Sequence, residues 1–578
     1  MGSEMCIRDR YKKNYHLCYD KFIMIKEELK KLFNADVQPF EKNDITTSVL
    51  SDFDNLILDL IDEEKFSSEI LDVYKKFVVM KQEAPDSMKV NLFTTIRNFA
   101  KDLISNKIFI EAFVLYRFLI VKSELIPDDY STIAENLVKI NAPKLAKNFM
   151  TIYATKEQNK VLMFLTLANF YNLQIGDYRK AIKYYEKYVE IDKTKAVIYS
   201  ILGNLYSKVY GDSSISEQIF YFEKAYKLNP TSRLVLHALA FAYEKNKNQD
   251  KADKFYKEIL NNNPTEIDYY NYGSFLISCG NFVQGHKYFR YRFLIDDENL
   301  KYPIDNSFSK KWDLVSDISD KTLLVHYEQG FGDTFMYCRF IPLLKKFARK
   351  IIFVVQDNLF DLIKNSPIIS DGIEVLSDKT SVRNIYYDYD MALLDAPFVL
   401  KTTTTSIPYP QGYLTVNAPE VKTYASKYLK NKSNLKIGIA YSGDKNANYS
   451  GRDIDLKKFN IITNLENVNV YSLQVGSEIE NPKIIDLGNT FNDFTDTACA
   501  IKNMDIVIST DNVILNLAGA LGVKTLGLFN KQTNFRWFKT TGENVGWYNS
   551  VKPLQACVQD DWTTVFPQVV NILSEYHS

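Results

Sequence analysis

The 578-residue chain has no run approaching the ~18 consecutive apolar residues that cross a membrane, and no apolar core of a signal peptide follows its basic start. Its six cysteines, Cys6, Cys18, Cys279, Cys338, Cys499 and Cys557, lack paired spacing. Neither a metal site nor a disulfide framework is expected from them, and a reducing cytoplasm is the expected compartment. The sequence also lacks a charge bias: Lys plus Arg and Asp plus Glu each total 71, a formal net charge of zero. A general nucleic-acid binder would carry a basic excess or stripe, so no nucleic-acid partner is expected.

What the sequence does hold is length and rings. It exceeds the ~250 to 300 residues at which single cores stop growing, so two or three domains are expected. Aromatics make up 14% of the chain, mostly Tyr and Phe, enough for large cores. The first ten residues, MGSEMCIRDR, carry no periodic pattern and read as a tag or assembly scar. Residues 11–90 are rich in Lys and Glu, with apolar residues at helical spacing such as Phe22, Ile25, Leu29 and Leu32. They read as a helical region of unassigned role.

Residues 91–300 show a repeat whose mark is a small residue followed four positions later by a large one. Ala112 precedes Tyr116, Ala146 precedes Met150, Ala181 precedes Tyr185, and Ala252 precedes Tyr256. The first three alanines are 34 and 35 apart, and the last gap, 71, holds two units with a short insertion near residues 211–214. Asn229-Pro230 and Asn263-Pro264 are also 34 apart. A period of ~34 with paired helices and a Pro at the unit's end resembles tetratricopeptide repeats. One helix pair cannot bury its own apolar face, so units stack and share a core. About six units fit, and the resemblance implies a protein or peptide partner on the concave face.

After Asp296 the pattern changes to short β-rich runs alternating with helical ones: 322–325, 351–355, 391–394, 436–440, 468–474, 506–509 and 525–528. Such runs describe parallel sheets covered on both faces. A looser stretch, 402–434, separates two doubly wound halves at 310–415 and 430–578. Ligands of such folds lie outside the carboxyl ends of the strands. The expected fold class is therefore α + α/β, an α-solenoid followed by two Rossmann-like parallel-sheet domains.

Three junctions carry candidate chemistry. Gly330-Phe331-Gly332-Asp333 links the first strand to a helix expected over 336–347. Two glycines there allow positive φ and close approach of a ligand, and Asp333 suits either a helix cap or a general base. In the second half a strand ends in Tyr441-Ser442-Gly443, and a polar loop follows to Arg452, which suits a diphosphate. Further on, Thr510-Asp511-Asn512 separates a strand from an apolar helix, and Asp511 suits a sugar hydroxyl or a helix cap. His326, at a strand end, reads as structural.

HYEQGFGDTFMYCRFIPLL, KIGIAYSGDKNANYSGRDIDL, NDFTDTACAIKNMDIVISTDN and LNLAGALGVKTLGLF, followed by FRWF and GWY, stand in a recognisable order. The order resembles tetratricopeptide proteins fused to a heptosyltransferase-like glycosyltransferase domain, akin to the ADP-heptose lipopolysaccharide heptosyltransferases with their GT-B fold. The resemblance implies metal-independent hexosyl or heptosyl transfer from a nucleotide-sugar co-substrate, with no other cofactor. It also implies a protein, peptide or surface-glycan acceptor. Asp333 matches the family's acidic base, behind the loop glycines Gly330 and Gly332. Ser442, Gly443 and Arg452 match the donor-side loop, and Asp511, Asn512 and Asn516 match the D-[TS]-x-x-x-H segment beside the donor. Two positions depart from that segment: Asn512 stands for Thr or Ser, and Asn516 for His. Asn cannot carry positive charge to a diphosphate. These departures permit an alternative, a catalytically inactive repeat scaffold that retains the fold.

Overall fold

A computed structural model of the chain describes residues 47–61, 86–121, 124–296, 304, 309–380, 384–429, 434–443, 452–538 and 546–575. It divides into two compact units, Met1–Pro230 and Thr231–Ser578. The tag-like first ten residues and most of the 11–90 region lie outside the described residues.

The first unit is helical: α1 (Thr47–Ile61), α2 (Asp86–Ser105), α3 (Phe109–Val121), α4 (Pro127–Lys139), α5 (Pro143–Lys156), α6 (Lys160–Asn169), α7 (Tyr178–Ile191), α8 (Ala196–Tyr210) and α9 (Ile215–Leu228). Side-chain caps fix several starts. Asn159 accepts from Val161 N, and Asp177 from Lys180 N, each satisfying a first-turn N–H that has no partner within the helix. Sequential helices pack in pairs, α4 with α5, α6 with α7 and α8 with α9. The small residues mark the contacts: Ala112, Ala146 and Ala181 are fully buried, as are Tyr116, Met150 and Tyr185 four residues on. The fully buried Arg117 donates to both carboxylate oxygens of Asp54, at 2.7 and 3.1 Å, and so holds α3 to α1.

The 71-residue gap in the alanine pattern has a specific cause. Gln218 stands 34 residues before Ala252, at the position where the other units carry alanine. The insertion forms a 3-10 turn, Gly211–Ser214. Gln218 Nε2 donates to Gly211 O at 2.7 Å and Ser214 Oγ at 3.1 Å, so the inserted turn satisfies an amide that would otherwise be costly to bury.

The second unit opens with α10 (Arg233–Lys245), α11 (Gln249–Leu260), α12 (Glu266–Ser278) and α13 (Phe282–Phe289), and a 3-10 turn, Arg290–Leu294. Two parallel sheets follow. The first holds β1 (Ile318–His326), β2 (Ala348–Val355), β3 (Glu374–Ser377) and β4 (Tyr389–Ala392) in the order β3-β2-β1-β4. The second holds β5 (Leu435–Ala440), β6 (Val468–Ser472), β7 (Ile484–Asp486), β8 (Ile506–Thr510), β9 (Thr525–Phe529) and β10 (Val551–Gln555) in the order β10-β9-β8-β5-β6-β7. Each winds outward in both directions from its first strand. The switch points, β1/β4 and β5/β8, are where ligands of such sheets sit.

The helix expected over 336–347 is displaced. An α-helix, α14 (Phe331–Tyr337), begins five residues earlier and gives way to a 3-10 helix, Cys338–Lys346. Pro342 lies inside that second segment, where it has no N–H for the α ladder. Between the sheets, Tyr413 N and Leu414 N donate to Ala520 O at 2.8 and 3.0 Å, and Asn549 N donates to Pro410 O at 2.8 Å. The fully buried Arg339 adds bonds to Tyr413 Oη at 3.0 Å and to the Trp547 carbonyl. One apolar core runs through α13, the first sheet and the helices of the second half.

Two histidines in this unit are buried and held neutral. Burial pushes His286 down to about 3 and His326 down to about 4. Neither ring nitrogen of His286 has a hydrogen-bond partner among the described residues; its ring packs edge-on against Phe282, Phe289 and Tyr337. Both folded values are depressed, so the stability they confer is present above the ordinary histidine range and is lost as pH falls. The slope is on the order of 1 kcal/mol per histidine per pH unit below about 6.5. Urea midpoints at about pH 7 and about pH 5 should therefore differ less in His286→Leu than in the parent. An unchanged difference would remove His286 from the acid response.

Candidate functional site

The loop after β1 turns at Gln329, whose φ is 61°, while neither Gly330 nor Gly332 takes a positive φ. The expected glycine turn is therefore made by the residue before it. Gly332 instead marks a close approach: a Cβ there would lie 3.2 Å from Asn516 Nδ2 and 3.7 Å from Val513 Cα. Gly330 takes the N-cap position of α14, and Asp333 is the third residue of that helix. Its carboxylate accepts weakly from Gly330 N, at 3.3 Å, and its Oδ1 lies 2.8 Å from Arg536 Nε. The side chain keeps 21% of its surface in solvent, so it remains reachable.

Arg536 gave no sequence signal of its own, because it lies over two hundred residues from the loop it meets. It stands in the loop after β9. Its guanidinium also bonds the Gln329 side chain and, at 3.1 Å, Asn534 Oδ1. Its carbonyl accepts from Trp547 Nε1 at 2.7 Å. Burial works against its charge, yet Asp333 and neighbouring groups hold the guanidinium above its ordinary value.

Ser442, Gly443, Arg452, Asp511 and Asn512, the residues expected on the donor side, gather at the carboxyl ends of β5 and β8. Ser442 N donates to Gln474 Oε1 at 3.1 Å, and Ser442 Oγ and Gly443 N donate to Asp453 Oδ1 at 3.0 and 2.9 Å. Gly443 admits Arg452: a Cβ there would lie 2.6 Å from Arg452 Nε. Arg452 Nη1 reaches Asp511 O at 3.4 Å. Residues 444–451 lie outside the described residues.

Before the next helices, α15 (Phe494–Lys502) and α16 (Val513–Ala520), the caps are Asp493 and Asn512. Capping thus falls to Asn512 and leaves Asp511 for other use. Asn512 Oδ1 accepts from Ile514 N and Leu515 N at 2.9 and 3.2 Å, and its Nδ2 donates to Ser442 O at 3.2 Å. Asn516 donates to Asn512 O at 3.2 Å and accepts from Tyr548 Oη at 3.0 Å. Both amides are thus engaged inside the protein. Asp511 is half-buried, and burial pushes its carboxyl up against the opposing effects of Trp537, Arg452 and Arg536. The structure brings Gly332 against Asn516, Asp333 against Arg536, and Asp511 against Arg452, Arg536 and Trp537, so that these residues form one connected group. His326 is buried at the end of β1, with Nδ1 3.1 Å from Tyr327 O.

Among the described residues, no group of three or more His, Cys, Asp or Glu side chains is placed to hold a metal ion, and no helix is long and apolar enough to cross a membrane.

Residues 163–195 and 235–266 match the tetratricopeptide repeat family model, and the chain carries such repeats there. The chain is similar to Protein FlbA of Caulobacter vibrioides, with 22% identity over 476 residues, 76% of this chain and 77% of that protein. Among solved structures it is similar to a glycosyl transferase family 9 protein from Veillonella parvula, with 12% identity and a TM-score of 0.33, covering 42% of this chain and 88% of that one. It is also similar to the E. coli ADP-heptose lps heptosyltransferase II, with 10% identity and a TM-score of 0.33, covering 44% of this chain and 99% of that one.

Proposed function

We propose that the chain is a glycosyltransferase that moves a sugar from a nucleotide-diphosphate donor to a polypeptide acceptor recruited in part by its repeats. One observation carries the reading: an accessible carboxylate, Asp333, and two guanidiniums, Arg452 and Arg536, converge from loops at the carboxyl ends of β1, β5 and β9 in two parallel sheets. In this reading the acceptor hydroxyl attacks the anomeric carbon as Asp333 takes its proton, and the bond to the nucleotide diphosphate breaks. Arg452 and Arg536 stabilise the charge that develops on the leaving group, a contribution that can match or exceed that of the base. Arg536 supplies the cation that Asn516 cannot. A diphosphate drawing Arg536 toward itself also releases Asp333 from its ion pair, so the base becomes free when the donor is bound.

The test is calorimetric titration with ADP-, GDP- and UDP-sugars. Saturable binding of one series is expected, weakened roughly 10- to 100-fold in Arg536→Gln, the span of a lost charge-assisted hydrogen bond. Arg452→Ala and Asp511→Ala should weaken it as well. Folded protein that binds none of the series would leave a repeat scaffold as the function.

A further inference from the structure

Against the loop that carries Arg536 lies a concavity. An open cavity of about 600 Å³ is bordered by α10 and α12 on one side and by the 531–538 loop with the end of β10 on the other. That volume falls within the ~300 to 1,000 Å³ of ligand-binding pockets. Aromatic rings form its walls: Phe241 and Phe275 from the helices, and Phe535, Trp537 and Phe538 from the loop. Phe241 is 55% exposed although it is a large apolar side chain on a helix. Trp537 packs edge-on to Phe529 with ring centres 5.1 Å apart.

The charged lining is mainly basic. Lys245, Lys247 and Lys531 all border the cavity, with Lys245 Nζ 4.7 Å from the centre of the Phe241 ring. Glu244 is the one carboxylate in the lining, and it accepts from Tyr256 Oη at 2.9 Å. A ligand that matches these walls presents an aromatic ring to the aromatic surface and carboxylates to the lysines. The location fits a polypeptide, because α10 and α12 are the first helices of two adjacent repeat pairs, one of them within the matched repeat at 235–266.

We propose that this cavity docks an acidic, aromatic-containing segment of the acceptor polypeptide. The proposal rests on the glycosyltransferase reading and names the chemistry of its acceptor. Docking there presses on the same short loop that holds Arg536 against Asp333 and sets Trp537 beside Asp511. Acceptor engagement and donor-site geometry are thereby joined through nine residues.

Fluorescence anisotropy of the full chain with a labelled hexapeptide of alternating Asp and Phe tests it, compared with Lys/Phe and Asp/Ser hexapeptides. Saturable binding is expected for the Asp/Phe peptide alone. It should weaken about tenfold or more in Lys247→Glu and in Phe241→Ser, both exposed positions whose replacement leaves the helical circular dichroism unchanged. Equal binding of the Lys/Phe peptide, no saturable binding, or parent-like affinity in both variants would overturn the proposal. Nucleotide-sugar titration of the same samples separates the two readings. Peptide binding without nucleotide binding keeps the docking cavity and removes the transferase, and the converse removes the cavity alone.

Discussion

Asp333→Asn is expected to lower sugar transfer by ~10² to 10⁴ while leaving nucleotide-sugar affinity near the parent value. Asn keeps the shape and can still accept from Gly330 N, the helix-end bond that Asp333 makes at 3.3 Å. It cannot take a proton from the acceptor hydroxyl. It also breaks the 2.8 Å ion pair and leaves Arg536 without its carboxylate. A cation so released is a better partner for a diphosphate, so donor KM should hold or fall while kcat collapses. That split distinguishes lost proton transfer from a damaged site, which would raise KM as well. Parent-like turnover in Asp333→Asn would remove Asp333 from the role of base.

The parts of the site legible in sequence were those whose signal is local. A strand followed by Gly-x-Gly-Asp, or by Thr-Asp-Asn and an apolar helix, marks a loop at the carboxyl end of a parallel sheet, and both loops lie at such ends. The roles of individual residues were less legible. Asp333 and Asp511 each suit capping or chemistry in sequence; the structure gives the N-cap positions to Gly330 and Asn512, while the Asp333 carboxylate still accepts from Gly330 N. Arg536 was illegible because its meaning is its distance to Asp333, a relation between chain segments about two hundred residues apart.

The fold divides in the same way. Central strands buried on both faces are continuous apolar runs and were visible, whereas β3, β7 and β10 were not. Each lies at a sheet edge with only one or two buried residues, so the run that signals a strand is missing. The repeat unit containing Gln218 escaped the alanine pattern because its amide is satisfied by an inserted turn. Periodicity registers the residue type, and the compensating contact came from elsewhere.

Arg292→Met is expected to destabilise the second unit by about 3 to 5 kcal/mol, the range for removing one partner of a buried charge cluster. Arg292 is fully buried in the 3-10 turn after α13. Its Nε and Nη2 donate to the two Glu328 oxygens at 2.9 and 2.7 Å, and its Nη1 donates to Asp395 Oδ1 at 2.9 Å. The faces of Phe289 and Phe293 lie 4.6 and 4.0 Å from its guanidinium carbon, so water has little access. Burial pushes the Asp395 carboxyl up and Arg292 opposes that rise, so removing the guanidinium raises it further. A carboxyl raised above its unfolded value confers stability at low pH that is lost as pH rises through the folded value. The defect in Arg292→Met should therefore be larger at about pH 8 than at about pH 5, and Glu328→Gln added to it should restore part of the loss. Glu328 stands two residues before Gly330 on the loop that carries Asp333, and its Oε1 also accepts from Leu394 N at 3.0 Å. The same cluster thus anchors the last helical turn to the candidate site, and transfer should fall along with the urea midpoint. A midpoint unchanged in Arg292→Met at both pH values would mean that the cluster contributes no net stability and that the aromatic packing around it suffices.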